Sequence, residues 1–137
     1  MLKSNFIQVY LSSTVAAFRG EIQPNIPEFV RSPVLNQMVE IIVAAVQPEK
    51  IILFGSHAKG TAKVSSDYDF LVVNAKPFDE SRSRYKEISK ISRALARLRI
   101  ATDVLLHSTD EVEQWKHSLN HVIGRAVREG VVLYERH

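Results

Sequence analysis

A glycine and a serine, Gly55-Ser56, follow directly on the unbroken apolar run Ile51-Ile52-Leu53-Phe54, and ten residues later Asp67-Tyr68-Asp69 leads into a second apolar run, Phe70-Leu71-Val72-Val73. A short apolar run cut off by a turn residue is the pattern of a strand buried on both faces. The glycine marks the turn, and the next residues are expected to open a short helix. The second run alternates, so Asp67, Asp69 and Leu71 share one face of a strand while Tyr68, Phe70 and Val72 take the other. Two carboxylates side by side on one strand face need a cation between them. A Gly-Ser turn at the start of a helix offers free N–H groups, a positive dipole end and a hydroxyl, which together suit a phosphate. The stretch 51–73 is therefore expected to form a metal and phosphate site.

The rest of the chain supplies the elements such a pair of strands needs. Apolar residues recur with a helical period from Asn5 to Phe18, and Gly20 is a suitable stop. Pro24, Pro27 and Pro33 then disfavour helix, so 21–33 reads as a connector. Leu35, Met38, Val39, Ile42, Val43 and Val46 define a helix over 34–46 that ends before Pro48. Another helix is expected over about 79–99, capped by Asp79 or Ser81, with Tyr85, Ile88, Ile91, Leu95 and Leu98 on its apolar stripe. Its other face is basic: Arg82, Arg84, Lys86, Lys90, Arg93, Arg97 and Arg99 stand against Glu87. Such a face can steer a nucleotide or an acidic partner, although a plain solvated helix has the same pattern. A third strand is expected over 100–106 and carries Asp103 alone among apolar neighbours. A helix follows over 110–129, broken near 118–120, and Gly130 precedes a last strand over 131–134.

Length and composition set the frame for these elements. A chain of 137 residues, 45% hydrophobic and 24% charged, is the size of one domain with a real core. We divide it into an N-terminal helix with its connector (1–33) and a main domain (34–137). With no cysteine in the chain, disulfides, Cys-based zinc sites and thiol nucleophiles are excluded, and a cytoplasmic location is expected. Asn5, Gln8, Ser12 and Ser13 interrupt any signal-peptide core, and no run approaches the roughly 18 apolar residues of a membrane span. A net charge of +3 favours polyanionic partners only weakly.

Asp103 extends the chemistry. A lone acid in an apolar strand is costly to bury unless it is paired, liganded or open to solvent. Beside Asp67 and Asp69 it would complete a set of three carboxylates able to hold two Mg²⁺ ions. One ion would escort a triphosphate and the other would acidify an attacking hydroxyl, with Asp103 as ligand and base. The Gly-Ser and Asp-X-Asp pattern alone arises by chance at about 10⁻⁵ per position for average residue usage.

Phe54-Gly55-Ser56, the ten-residue gap, the run from Ser66 to Val72 and the later Asp103 resemble the minimal nucleotidyltransferase (MNT) family within the DNA polymerase β-like superfamily. The resemblance spans about 34–134. It implies an α+β fold with a mixed, mainly antiparallel sheet flanked by helices, ATP or another NTP as co-substrate, and Mg²⁺. It assigns triphosphate contacts to Gly55 and Ser56, metal binding to Asp67 and Asp69, and the third carboxylate to Asp103. Family members often carry arginine after the Gly-Ser pair, where this chain has His57 and Lys59. Many small members are antitoxins paired with a HEPN-domain ribonuclease toxin, and some transfer AMP to a tyrosine of that toxin. The resemblance thus implies a protein adenylyltransferase (AMPylation) antitoxin. The alternatives are an antitoxin that acts by binding alone, or transfer to RNA or to a small hydroxyl compound such as an aminoglycoside.

Three other features carry less. His117 and His121 have the spacing of a helical metal pair but lack any Cys or an HExxH context. Trp115 is expected to pack rather than to stack on a base. Ser56 has no base at a recognisable spacing, so its expected role is phosphate binding and not nucleophilic attack.

Overall fold

The computed structural model describes residues 20–136, and the helix expected over 5–18 lies outside them. Five strands form one mixed sheet: β1 (Gly20–Ile22), β2 (Lys50–Phe54), β3 (Tyr68–Asn74), β4 (Thr102–Ser108) and β5 (Val131–Arg136), in the spatial order β1-β5-β2-β3-β4. All neighbours are antiparallel except β3 and β4. The helices are α1 (Pro33–Val46), α2 (Ser56–Lys59), α3 (Arg84–Leu95), α4 (Thr109–Trp115) and α5 (Val122–Glu129), with a 3-10 turn at Ala96–Leu98 closing α3. No helix among the described residues is long and apolar enough to cross a membrane.

The sheet separates two layers of core because its central strands are apolar on both sides. Ile51 and Leu53 of β2 and Phe70 and Val72 of β3 face α1 and α3, where Leu35, Met38, Ile42, Ile91 and Leu95 meet them. Ile52, Phe54, Leu71 and Val73 face the other way, against Ile123 and Ala126 of α5. Each fully buried side chain of this size contributes roughly 1.5–3 kcal/mol by leaving water. The unbroken run at 51–54 is thus buried on both faces, as its composition implies.

Helix ends follow local chemistry. Ser32 caps α1 by accepting from the Leu35 N–H, Pro33 fills the first turn, and Gln47 closes it in the left-handed conformation before Pro48. The third helix starts later than the sequence suggests. Asp79 instead binds Ser81 through its carboxylate and bridges to Arg82, and Ser83 is the cap. This turn satisfies its own backbone groups and so competes with the first turn of helix. The helical stretch over 110–129 is broken where expected, around 118–120, into α4 and α5, and Ser108 and Glu111 form a capping box at the start of α4.

The expected connector is part of the body. Gly20–Ile22 pairs with β5, and Ile26 and Val30 are buried in the core. Arg31 holds the turn by donating to the carbonyls of Ile26 (2.8 Å) and Pro24 (2.6 Å). Prolines excluded helix here but did not prevent a short edge strand.

Candidate active site

The Gly55-Ser56 turn and the carboxylates meet at one end of the sheet because of strand register. Phe54 pairs with Asp69 across β2 and β3, and Asp69 pairs with Asp103 across β3 and β4. In-register residues on adjacent strands point to the same face, so Asp69 and Asp103 project together on the side of α5. Asp67 precedes β3 by one residue, is exposed, and acts electrostatically on Asp69. Gly55 follows Phe54 directly and has φ +77° and ψ −159°, a conformation that is essentially glycine's alone. The Asp69 carboxylate occupies the place a Cβ on Gly55 would need. The glycine is therefore required both for the turn and for the position of this acid.

Asp69 carries the electrostatic signature of the site. Its pKa is pushed up, first by partial burial, then by the negative charges of Asp103 and Asp67, while His57 acts in the opposite direction. Three oxygen-donor side chains that repel one another form a donor set suited to a hard cation such as Mg²⁺. Among the described residues no group of three or more His, Cys, Asp or Glu side chains is arranged so that it could hold a metal ion. Mg²⁺ commonly takes one or two carboxylates and completes its shell with water and substrate phosphates, and this open arrangement fits that mode.

Gly55 and Ser56 begin α2. The N–H groups of Ala58 and Lys59 return to the Gly55 carbonyl, which fixes the turn, and Ser56 is partly exposed at its head. His57, one of the two residues standing where family members often carry arginine, is packed. Its ring stacks on Tyr68 with centroids 3.7 Å apart and planes 9° from parallel. Its Nε2 donates to the Ser66 carbonyl at 3.0 Å, because a carbonyl can only accept. His57 thus ties α2 to the start of β3. Lys59 forms an ion pair with Glu129 of α5 at 3.1 Å, so it too has a structural partner.

A cavity of about 370 Å³ opens at the same end of the sheet, lined by His57, Lys63, Tyr68 and Arg99 among others. Sequence reading missed it, and the available signal was Tyr68, an aromatic between the two acids. The spacing of His117 and His121 does not make a helical pair, because 117–121 is the turn between α4 and α5. His121 caps α5 by accepting from the Ile123 N–H (3.1 Å) and stacks on Trp115 at 4.5 Å.

The family model described as Polymerase beta, Nucleotidyltransferase matches residues 36–137. No curated protein matches the chain. Among solved structures, a protein from Sulfolobus solfataricus described as a nucleotidyltransferase is similar, with 21% identity, a TM-score of 0.47 and coverage of 70% of this chain and 72% of that one. A toxin–antitoxin structure with AMP-PNP is similar at 25% identity, with a TM-score of 0.47 and coverage of 73% and 72%.

Proposed function

Because the chain belongs to the polymerase β nucleotidyltransferase family, we propose that it transfers AMP from ATP to a tyrosine hydroxyl of a HEPN-domain toxin and thereby acts as its antitoxin. The observation that carries the catalytic part is register: Phe54, Asp69 and Asp103 stand in line across three strands, with Gly55 beside the first. The AMP and toxin assignments rest on the sequence resemblance to MNT antitoxins.

In this reading Gly55 and Ser56 bind the triphosphate through backbone N–H groups and the serine hydroxyl. Asp67 and Asp69 would hold Mg²⁺, with Asp103 as the third ligand. Bound Mg²⁺ would neutralise charge on the phosphates and lower the pKa of the acceptor hydroxyl. Asp103 takes the proton as the acceptor oxygen bonds to the α-phosphorus. The bond from that phosphorus to the bridging oxygen breaks, and pyrophosphate leaves.

The test is mass spectrometry of the toxin encoded beside this chain after incubation with the protein and Mg-ATP. A mass increase of one AMP on a tyrosine is expected, and an unmodified toxin under those conditions would remove the protein-transfer reading. The double variant Asp67→Asn/Asp69→Asn should lose both modification and neutralisation. Full neutralisation by that variant would show that binding alone silences the toxin.

A further inference from the structure

The outward face of α3 carries a stripe of cations that the catalytic reading does not use. Lys86, Lys90, Arg93 and Arg97 are all exposed, and with Tyr85 they border an open groove of about 690 Å³. At steps of four and three residues Lys86, Lys90 and Arg93 lie along one side of α3, and Arg97 follows in the 3-10 turn, so the stripe spans about 16 Å at 1.5 Å per residue. Apolar positions of the same helix, Ile91 and Leu95, are buried against the core beneath. The stripe therefore lies on the α1 and α3 side of the sheet, opposite the carboxylates.

Little in the protein neutralises this charge. Lys90 approaches Glu87 at 3.4 Å, but Glu87 is shared with Arg82. Among the described residues no carboxylate forms an ion pair with Lys86, Arg93 or Arg97. The first nineteen residues contain no Asp or Glu that could do so. Arg82 and Arg84 do not belong to the stripe: they lie over the Phe78 ring and pair with Glu87 and Glu111.

We infer that this face binds a single-stranded nucleic acid, with Lys86, Lys90, Arg93 and Arg97 along its phosphates and Tyr85 as a stacking platform for a base. Two features favour a nucleic acid over an acidic protein. Protein interfaces are depleted in lysine, whereas here Lys86, Lys90, Arg93 and Arg97 border the groove. Tyr85 borders the groove and is 80% exposed, so its ring face is open for a base to stack on. The inference does not depend on nucleotidyl transfer, because the stripe and the carboxylates lie on opposite faces of the sheet.

The experiment is fluorescence anisotropy of the full chain with a labelled 20-nucleotide oligouridylate at several KCl concentrations, without ATP. Wild-type protein should bind, with affinity falling steeply as salt rises. The triple variant Lys86→Gln/Arg93→Gln/Arg97→Gln should bind at least tenfold more weakly, and its log–log salt slope should be shallower by about two, at roughly 0.7 per phosphate contact for single strands. Tyr85→Ala should weaken binding about 5-fold or more without changing the slope, while Lys86→Arg should bind as wild type. Undetectable binding at low salt, or a triple variant with unchanged affinity and slope, would overturn the inference. So would equal binding of polyglutamate with no effect of Tyr85→Ala, which would mark the face as a site for acidic protein.

Discussion

The carboxylate of Asp69 stands where a side chain on Gly55 would have to be. One residue's lack of a Cβ is thus the condition for the other's position at the head of the Gly55-Ser56 turn. Gly55→Ala should cost about 1–3 kcal/mol from backbone conformation alone, because φ is +77° there, and should displace the Asp69 side chain as well. Thermal unfolding would show the first effect. Loss of Mg-ATP binding in titration calorimetry would show the second, and a variant that binds Mg-ATP like wild type would contradict the spatial argument.

Asp69→Asn separates charge repulsion from function. Asp69 has a raised pKa through burial and then through Asp103 and Asp67, so its ionised form destabilises the metal-free fold at neutral pH. That penalty disappears as the pH falls through its folded pKa and carboxylate protonation relieves it. The asparagine variant should therefore unfold at a higher temperature than wild type in EDTA at pH 7, yet gain no stability from Mg²⁺. A lower unfolding temperature in EDTA would mean that the ionised acid is stabilised by something else.

Glu40 is a second perturbed carboxylate, far from any catalytic assignment. It is 5% exposed on α1, its Oε1 has no hydrogen-bond partner among the described residues, and burial pushes its pKa up to about 7. A folded pKa above the unfolded value means that stability is highest below about pH 4.5 for this group, falls as pH rises, and levels off above about 7. The full cost is about 3 kcal/mol at 1.36 kcal/mol per pKa unit. Glu40→Met should recover much of this at pH 8.5 and little at pH 5. Urea unfolding at the two pH values measures the difference, and an equal gain at both would refute the assignment.

Arg84 fastens α3 to the end of β4. It donates to Glu111 at 2.6 Å and to the Leu106 carbonyl at 3.2 Å, and it lies over Phe78. Burial alone would raise the Glu111 pKa, but the Arg84 and Ser108 hydrogen bonds and the Arg84 charge bring it below the ordinary value. This contribution is present above the unfolded pKa and is lost as pH falls through the folded one. Arg84→Met should cost about 1–2 kcal/mol at pH 7, allowing for partial solvent screening, and less in acid. Equal costs at pH 7 and pH 3 would show that packing, not the ion pair, is what Arg84 supplies.

The site was legible in the sequence where chemistry is local. Gly55-Ser56 announces a turn through local pattern alone, and the doubly buried strand at 51–54 follows from its unbroken apolar run; the two-acid strand face expected for Asp67 and Asp69 is reduced to Asp69, because β3 begins only at Tyr68. Asp103 could be singled out as an anomalous acid, but its in-register pairing with Asp69 comes from the β3–β4 crossover, which no local pattern specifies. The same holds for β1: three residues at a sheet edge have too few side chains to show a period. The His57–Tyr68 stack and the Lys59–Glu129 pair were hidden because each partner is set by tertiary packing. At Asp79–Ser83, side chain to backbone bonds overrode a helical period that began to look continuous.

The one parallel pairing, between β3 and β4, also bears on when the site comes into being. Gly55 and Asp69 are brought together by an antiparallel pairing of segments close in the chain, whereas Asp103 arrives only after α3 has crossed over and docked. Longer loops close at greater entropic cost and later contacts slow folding. The approach of Gly55 and Asp69 thus needs only the local β2–β3 pairing, whereas that of Asp103 needs the crossover through α3 as well. A chain that ends before β4 therefore carries Gly55, Asp67 and Asp69 but lacks Asp103.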